Sequence, residues 1–424
     1  MKTARYIKWL VVAAVAVTSL TVTSCKDEPD KYEIADGTPT VYYVRSPYLS
    51  QKDSLLTGAY MGNTICIVGD NLRSIVELYF NDQPAVLNTS FITDNTLLCD
   101  VPKELPNNPT DKIYMKTQSG ETVSYDFQVL IPTASVSTMS NEWAKEGETV
   151  TIYGDYFLTY ESDPLTITMP GGILVTEITD IQKTSVTFVI PTGATESGKI
   201  EVKTKYGTSK SAFYYRDDRG MILDWDGIHG MELANGWRTG ANIKVDDGTG
   251  LSGAFIRFHG TTTADGWSLG EDDWCFNFWP SATEPAISKM PGCAEMVEKY
   301  SISELAIKFE YRIPSDLNWT SAALQVMLTK PEVTGTNSYY WDAAVPRSLW
   351  NPYSSSGSYD TKGEWRTATL PLSVFNKTHT GDLCANEFSV DYIGGLTFYF
   401  MGGPAGVASE LQMDVDNIRL ATIE

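Results

Sequence analysis

The chain has 424 residues, a formal net charge of −21, 12% aromatic residues and only three histidines. So negative a surface excludes nucleic acid and polyanionic polysaccharides as partners, since both are drawn to positive potential. The balance suits solubility and neutral ligands, and the length allows roughly two to four domains.

Met1–Ser24 opens with Lys2, Arg5 and Lys8, continues through the apolar run Trp9–Val17, and ends in small and polar residues. This is the pattern of a secretory signal peptide, with an apolar core too short to span a bilayer. Its end, Val22-Thr23-Ser24-Cys25, resembles the bacterial lipobox, so Cys25 is expected to become the lipidated first residue. The following Lys26-Asp27-Glu28-Pro29-Asp30 resembles the surface-export signal of Bacteroidetes lipoproteins; an ordinary acidic tether is the alternative. Residues 25–37 then form a lipidated tether, and the expected location is the outer membrane, lipid-anchored and facing the cell exterior. Losing the three leader cations takes the net charge from −21 to −24. Cys66, Cys99, Cys275, Cys293 and Cys384 remain, without CxxC or Cys/His spacing, so neither a zinc site nor a disulfide framework is indicated. Cys66 and Cys99 read as small buried hydrophobes, and a Cys275–Cys293 disulfide stays open.

An internal repeat follows. Gly58–Leu72, with Ile65-Cys66-Ile67-Val68-Gly69-Asp70, matches Ala144–Phe157, with Val150-Thr151-Ile152-Tyr153-Gly154-Asp155. Cys99-Asp100-Val101-Pro102 corresponds to Phe188-Val189-Ile190-Pro191, and Ile113–Gly120 to Ile200–Gly207. One module is used twice, at residues 38–131 and 132–216. Short alternating runs between Gly, Asn, Asp and Pro turns predict an all-β sandwich in each copy. The shared pattern resembles the IPT/TIG class of immunoglobulin-like domains. No histidine lies between Cys25 and Arg216, and the preferred role is a rigid spacer.

From Met221 the composition changes: nine of the eleven tryptophans lie between Trp225 and Trp365. Strand-like runs at Ala254–Phe258, Cys275–Phe278, Leu305–Tyr311, Ala323–Leu328, Arg366–Leu370 and Gly395–Phe400 predict a third sandwich over 217–424. Alternation makes Leu305–Tyr311 a half-buried strand. The opening Asp224-Trp225-Asp226 and the closing Asp414-Val415-Asp416-Asn417-Ile418 resemble the jelly-roll fold of carbohydrate-binding modules. The fold class is all-β: two tandem Ig-like (IPT/TIG) sandwiches, then a larger jelly-roll-like carbohydrate-binding sandwich.

The whole mature chain is similar to the surface glycan-binding protein B family of Bacteroidetes polysaccharide-utilisation systems, and its last module to that family's xyloglucan-binding domain. Trp225 with its flanking Asp224, Asp226 and Gly227, Asn235-Gly236-Trp237, Phe276–Trp279, Val345–Pro352 and Gly357–Trp365 carry the likeness. The resemblance implies non-catalytic capture of a neutral β-glucan such as xyloglucan or mixed-linkage glucan. It also implies a TonB-dependent transporter and a companion glycan-binding lipoprotein as partners, and no cofactor. Trp237 matches the family's first platform position and Phe278-Trp279 its aromatic-Trp pair; Tyr340-Trp341 form a second loop-borne cluster. These are the expected glycan-binding residues, with core packing the alternative for each. Trp225, Trp319 and Trp365 read as core or strand-edge residues, while Asn277, Asp342 and Arg347 could bond sugar hydroxyls. Two other classes remain: a protein-binding adhesin or assembly component, and a surface endo-glycanase using acids among Glu271-Asp272-Asp273 and Glu364. No catalytic or metal-binding residue is expected. Capping of loop amides is preferred over calcium for Asp414 and Asp416.

Overall fold

The computed structural model describes residues 32–233, 243–266, 274–280, 286–333 and 338–423. Cys25, Trp237, Trp267 and the acidic run Glu271-Asp272-Asp273 lie outside the described residues. Two compact units divide at Ile131 and Pro132. Among the described residues, no helix is long and apolar enough to cross a membrane.

The first unit holds one Ig-like sandwich. One sheet runs Thr40–Arg45, Thr64–Asp70, Thr96–Asp100; the other runs Gln83–Ala85, Ile75–Phe80, Lys112–Thr117, Thr122–Asp126. Lys112–Thr117 alternates strictly between half-buried and buried positions, with Ile113 and Met115 in the core.

The second unit contains the second Ig-like sandwich and the terminal module. Ser135–Met139, Thr149–Asp155, Ser185–Val189 and Ile178–Gln182 form one sheet of the Ig-like sandwich; Ile173–Leu174, Thr166–Met169, Glu201–Thr204 and Gly207–Lys210 form the other. The glycine repeated in both copies has a steric cause. A Cβ on Gly69 would stand 1.8 Å from the Thr40 carbonyl oxygen, and one on Gly154 would stand 1.8 Å from that of Ser135. Each lies where the first strand of its module shifts register across the glycine-bearing strand.

The terminal module is a sandwich of two antiparallel sheets. The first is ordered Lys244–Val245, Phe255–Thr261, Glu410–Thr422, Leu305–Arg312, Arg366–Pro371, with Met221–Leu223 also paired to the long Glu410–Thr422 strand. The second is ordered Cys275–Phe278, Gly395–Phe400, Leu324–Thr329, Arg347–Trp350. Between them lie Trp225, Trp319, Phe258, Phe276, Phe309, Phe398 and Phe400, packed edge-on for the most part, as ring quadrupoles prefer. The helix Pro291–Lys299 buries Cys293 and Met296. The sequence reading missed it because it is short and lacks a side-chain N-cap, leaving only Pro291 at its start to mark it.

One open question is answered here and two expectations are corrected. None of the five described cysteines is in a disulfide; Cys275 faces an outer cluster while Cys293 sits in the main core, so they do not bridge. Asp414 is fully buried between Arg257 and Arg312, with ion-pair contacts of 2.7 and 2.6 Å, so guanidinium groups rather than loop amides satisfy it. Leu305–Arg312 is buried on both faces rather than half-buried, because Lys308 and Glu310 point into a second interface.

That interface joins the second Ig-like sandwich to the terminal module. Glu142, from the Ig-like side, accepts from Lys308 Nζ at 2.8 Å and from Arg419 Nη2 at 2.9 Å. Arg419 also reaches Glu310 at 2.7 Å, and the Thr367 hydroxyl links Glu310 to the Glu142 backbone N–H. Burial alone would lower the Arg419 pKa, but Glu310 and Glu142 outweigh it and raise it, so the guanidinium stays charged. Beside this network Trp143 packs with Met221, Leu251, Phe255 and Trp365.

Candidate glycan-binding site

The outer face of the four-stranded sheet is where the sequence places most of its unexplained aromatics. Alternation along Cys275–Phe278 sends Phe276 and Phe278 inward and puts Cys275 and Asn277 on the outer side; Trp279 directly follows the strand. Over that side lie Tyr399, Met327, Met401 and Tyr340, with Trp274 partly buried against them. Tyr340 and Tyr399 meet edge-to-face at 5.2 Å, and Trp274 lies 5.9 Å from Tyr399.

Arg347 holds the covering loop to the sheet. Its guanidinium is fully buried and donates to the carbonyls of Tyr340 at 2.7 Å and Asp342 at 2.8 Å, and to the Tyr399 hydroxyl at 2.6 Å. The two carbonyls flank Trp341. A five-donor planar fork can fix both sides of one residue at once, which an ammonium cannot. On the far side, Asn386 Nδ2 donates 2.7 Å to the Ala344 carbonyl. Trp341 is 44% exposed, and among the described tryptophans it alone is exposed. The His379 ring stands perpendicular to it, with centroids 6.1 Å apart and an interplanar angle of 88°. Burial, then the Arg347 charge, holds the His379 imidazole below its ordinary range, so the contact is uncharged at neutral pH. Trp341 is thus a half-exposed indole on a loop braced at both neighbouring carbonyls.

The expected site residues therefore separate. Trp341 is exposed and Trp279 is half-buried. Phe278 is 1% exposed and faces the core, so it cannot stack on a sugar; the pairing runs to Phe278, the last residue of the strand, without a register shift that would have turned it outward. Tyr340 is 4% exposed and supports the loop from beneath. Of the proposed polar contacts, Asn277 and Arg347 are buried, whereas Asp342 is exposed and caps the Ala344 N–H at 2.8 Å. Trp225 and Trp319 are buried in the main core, and Trp365 is buried at the junction with the Ig-like sandwich. Trp350, left undecided by the sequence, packs on Tyr311 at 4.8 Å and on Trp319 at 5.3 Å. The Arg347 clamp was missed; its only signal was a charged residue within an apolar, strand-like run.

Among the described residues, no group of His, Cys, Asp or Glu is arranged to hold a metal. Glu364 is exposed and bonded to Arg366 at 3.3 Å; Glu148 lines the same cleft, where its carboxylate accepts from the Lys145 backbone N–H at 2.9 Å.

The profile of the surface glycan-binding protein B xyloglucan-binding domain matches residues 215–422, and the IPT/TIG domain profile matches 54–129 and 132–215. The crystal structure of a surface glycan-binding protein B from Prevotella bryantii is 36% identical to this chain. It covers 92% of this chain and 100% of its own length, with a TM-score of 0.83. The chain belongs to the surface glycan-binding protein B family. A family member from a complex xyloglucan utilization locus in Bacteroides uniformis is more distant, at 18% identity and a TM-score of 0.44 over 91% of this chain and 100% of that one. A curated IPT/TIG domain-containing protein of Bacteroides ovatus is 26% identical over 209 residues, which cover 46% of this chain and 42% of that protein. The chain thus spans less than half the length of that curated relative. Membership of this family places the protein at the cell surface.

Proposed function

We propose that this family member captures a neutral β-glucan at the cell surface without cleaving it, by stacking the backbone on an aromatic platform of its terminal module. Trp341 anchors the platform, Trp279 extends it, and Trp237 adds a third position. The observation that carries the reading is the exposed Trp341 on a loop braced at both neighbouring carbonyls by the buried Arg347. Such bracing removes the ordering cost that a mobile loop would meet on binding. The matched xyloglucan-binding profile makes xyloglucan the first ligand to test, with mixed-linkage glucan beside it. Lipidation at Cys25 would anchor the chain in the outer membrane, where a TonB-dependent transporter and a companion glycan-binding lipoprotein would share the captured chain.

Affinity electrophoresis in gels containing either glucan tests this reading. Retardation is expected for the parent chain and is expected to fall sharply for Trp341→Ala, with an unchanged melting curve. Full retention by the chain carrying Trp237→Ala, Trp279→Ala and Trp341→Ala together would overturn the stacking reading. Release of reducing sugar from either glucan would overturn the non-catalytic one.

A further inference from the structure

The two Ig-like sandwiches share one sequence pattern but finish one sheet differently. In the second, Ile178–Gln182 lies along the outer side of Ser185–Val189, with Ile181 opposite Val186 and Ile178 opposite Phe188. Both isoleucines pack on the core, and Val189 N–H donates to the Glu177 carbonyl at 3.0 Å. The matching strand of the first sandwich, Thr96–Asp100, ends its sheet. Only the tip of the corresponding hairpin survives, as the single bridge Ile92–Leu97. Before it the chain coils into the 3-10 turn Thr89–Phe91, capped by the Asn88 side chain accepting from Ser90 N–H at 3.1 Å. Leu98, Cys99 and Asp100 thus have a strand partner, Thr64–Cys66, on one side only.

Along the uncovered side runs a cleft of about 590 Å³, whose apolar wall is made by Pro84, Val86, Phe91, Leu98 and Pro102. Val86 is 85% exposed and Phe91 56%. An open strand edge beside apolar surface is a template for another strand, which proteins normally blunt with charge, proline or cover. Cover is what the second sandwich uses, and among the described residues none lies along this edge of the first.

We propose that the first Ig-like sandwich receives an extended peptide segment of a protein partner as an added strand along Leu98–Asp100, seating an apolar side chain between Val86 and Phe91. The second sandwich shows the chemistry of the occupant: an extended run with apolar side chains on the cleft side and polar ones outward, as in Ile178-Thr179-Asp180-Ile181-Gln182. Main-chain bonds supply the affinity of such additions, and the side-chain pocket supplies the selectivity. A sugar chain suits the cleft less well, since it has no amide ladder to match the edge and the wall is largely aliphatic. This assignment does not depend on the glucan-binding reading.

The test uses the full mature chain and a photo-crosslinking peptide copied from residues 176–184, with benzoylphenylalanine at the position of Ile178. Crosslinks are expected in segments 84–91 and 98–102, to saturate with peptide concentration, and to fall on the order of tenfold in Val86→Lys and in Phe91→Asp. Melting curves of these variants check the fold, and retardation by glucan gels is expected to be unchanged in Val86→Lys. Crosslinks elsewhere, equal labelling of the variants, or none at millimolar peptide would overturn the proposal. So would a self-association of the chain that Val86→Lys abolishes, which would make a second copy the occupant. Loss of glucan retardation together with crosslinking in Val86→Lys would make the cleft a sugar site, and would overturn it as well.

Discussion

Replacing Glu142 with alanine should disrupt the junction between the second Ig-like sandwich and the terminal module. Lys308 is 3% exposed at its side chain and would face a cavity with its ammonium unpaired, while Arg419 would keep Glu310 and the Asn417 carbonyl. Leaving one buried charge without its partner typically costs about 3–5 kcal/mol. A unit of this size has an unfolding entropy of about 0.6 kcal/mol per kelvin, from about 2.1 cal/mol/K per residue. The expected loss is therefore about 5–8 °C in the transition that includes the junction. Scanning calorimetry on the full mature chain measures it, with the first Ig-like sandwich as an internal reference. The transition should also split, because the two parts of the second unit would no longer melt together. In the double variant Glu142→Leu with Lys308→Met both buried charges are gone, and most of the loss should return, since a packed apolar pair commonly equals a buried ion pair. A single unsplit transition shifted by under about 2 °C in Glu142→Ala would refute the reasoning.

Three further outcomes are expected. Burial, reinforced by Glu310 and Asp226, raises the Asp416 pKa well above the ordinary carboxylate range despite its bond from the Asn417 N–H. The folded form then resists ionisation, so the destabilisation is absent below the unfolded pKa and grows as pH rises toward the folded one; Asp416→Asn should gain stability relative to the parent at pH 8 and little at pH 4, read by urea denaturation. Burial pushes the Cys99 and Cys293 thiols up to about 12, and only Cys384 among the five is not buried; a thiol reagent should label Cys384 in the native chain and the other four only in denaturant. Phe278→Ala should cost about 3–5 kcal/mol of stability as a core truncation, with glucan retardation retained by the chain that remains folded; selective loss of retardation at an unchanged melting temperature would return Phe278 to the platform.

Much of the architecture was legible because it follows from local pattern. Gly395–Phe400 was read with the bounds it has, and the twin modules were visible from Gly69 and Gly154, whose identity the close strand crossing requires. The polar side of Leu305–Arg312 defeated the reading for a definite reason. Lys308 and Glu310 look solvated in a single strand, and only their partners Glu142 and Arg419, far away in sequence, make them interior groups. The site shows the same division. A cluster of tryptophans announced an aromatic module, but which ones face water depends on strand phase and loop bracing. Phe278 and Trp279 are neighbours, yet Phe278 on the strand is buried in the core while Trp279, just past its end, is half-buried. Tyr340 and Trp341 differ because one side chain is buried against Tyr399 while the other extends past the Arg347 clamp.

The Glu142–Arg419 joint also fixes where this chain can be cut and recombined. A chimera that exchanges terminal modules at residue 216 would carry Lys308, Glu310 and Arg419 into a partner lacking their acid, and would strip Trp143 from Leu251 and Phe255. A cut at Ile131–Pro132 keeps every one of these contacts. The transferable cassette for moving the terminal module between surface proteins is therefore the 132–424 pair, with its Ig-like half acting as part of that module's foundation.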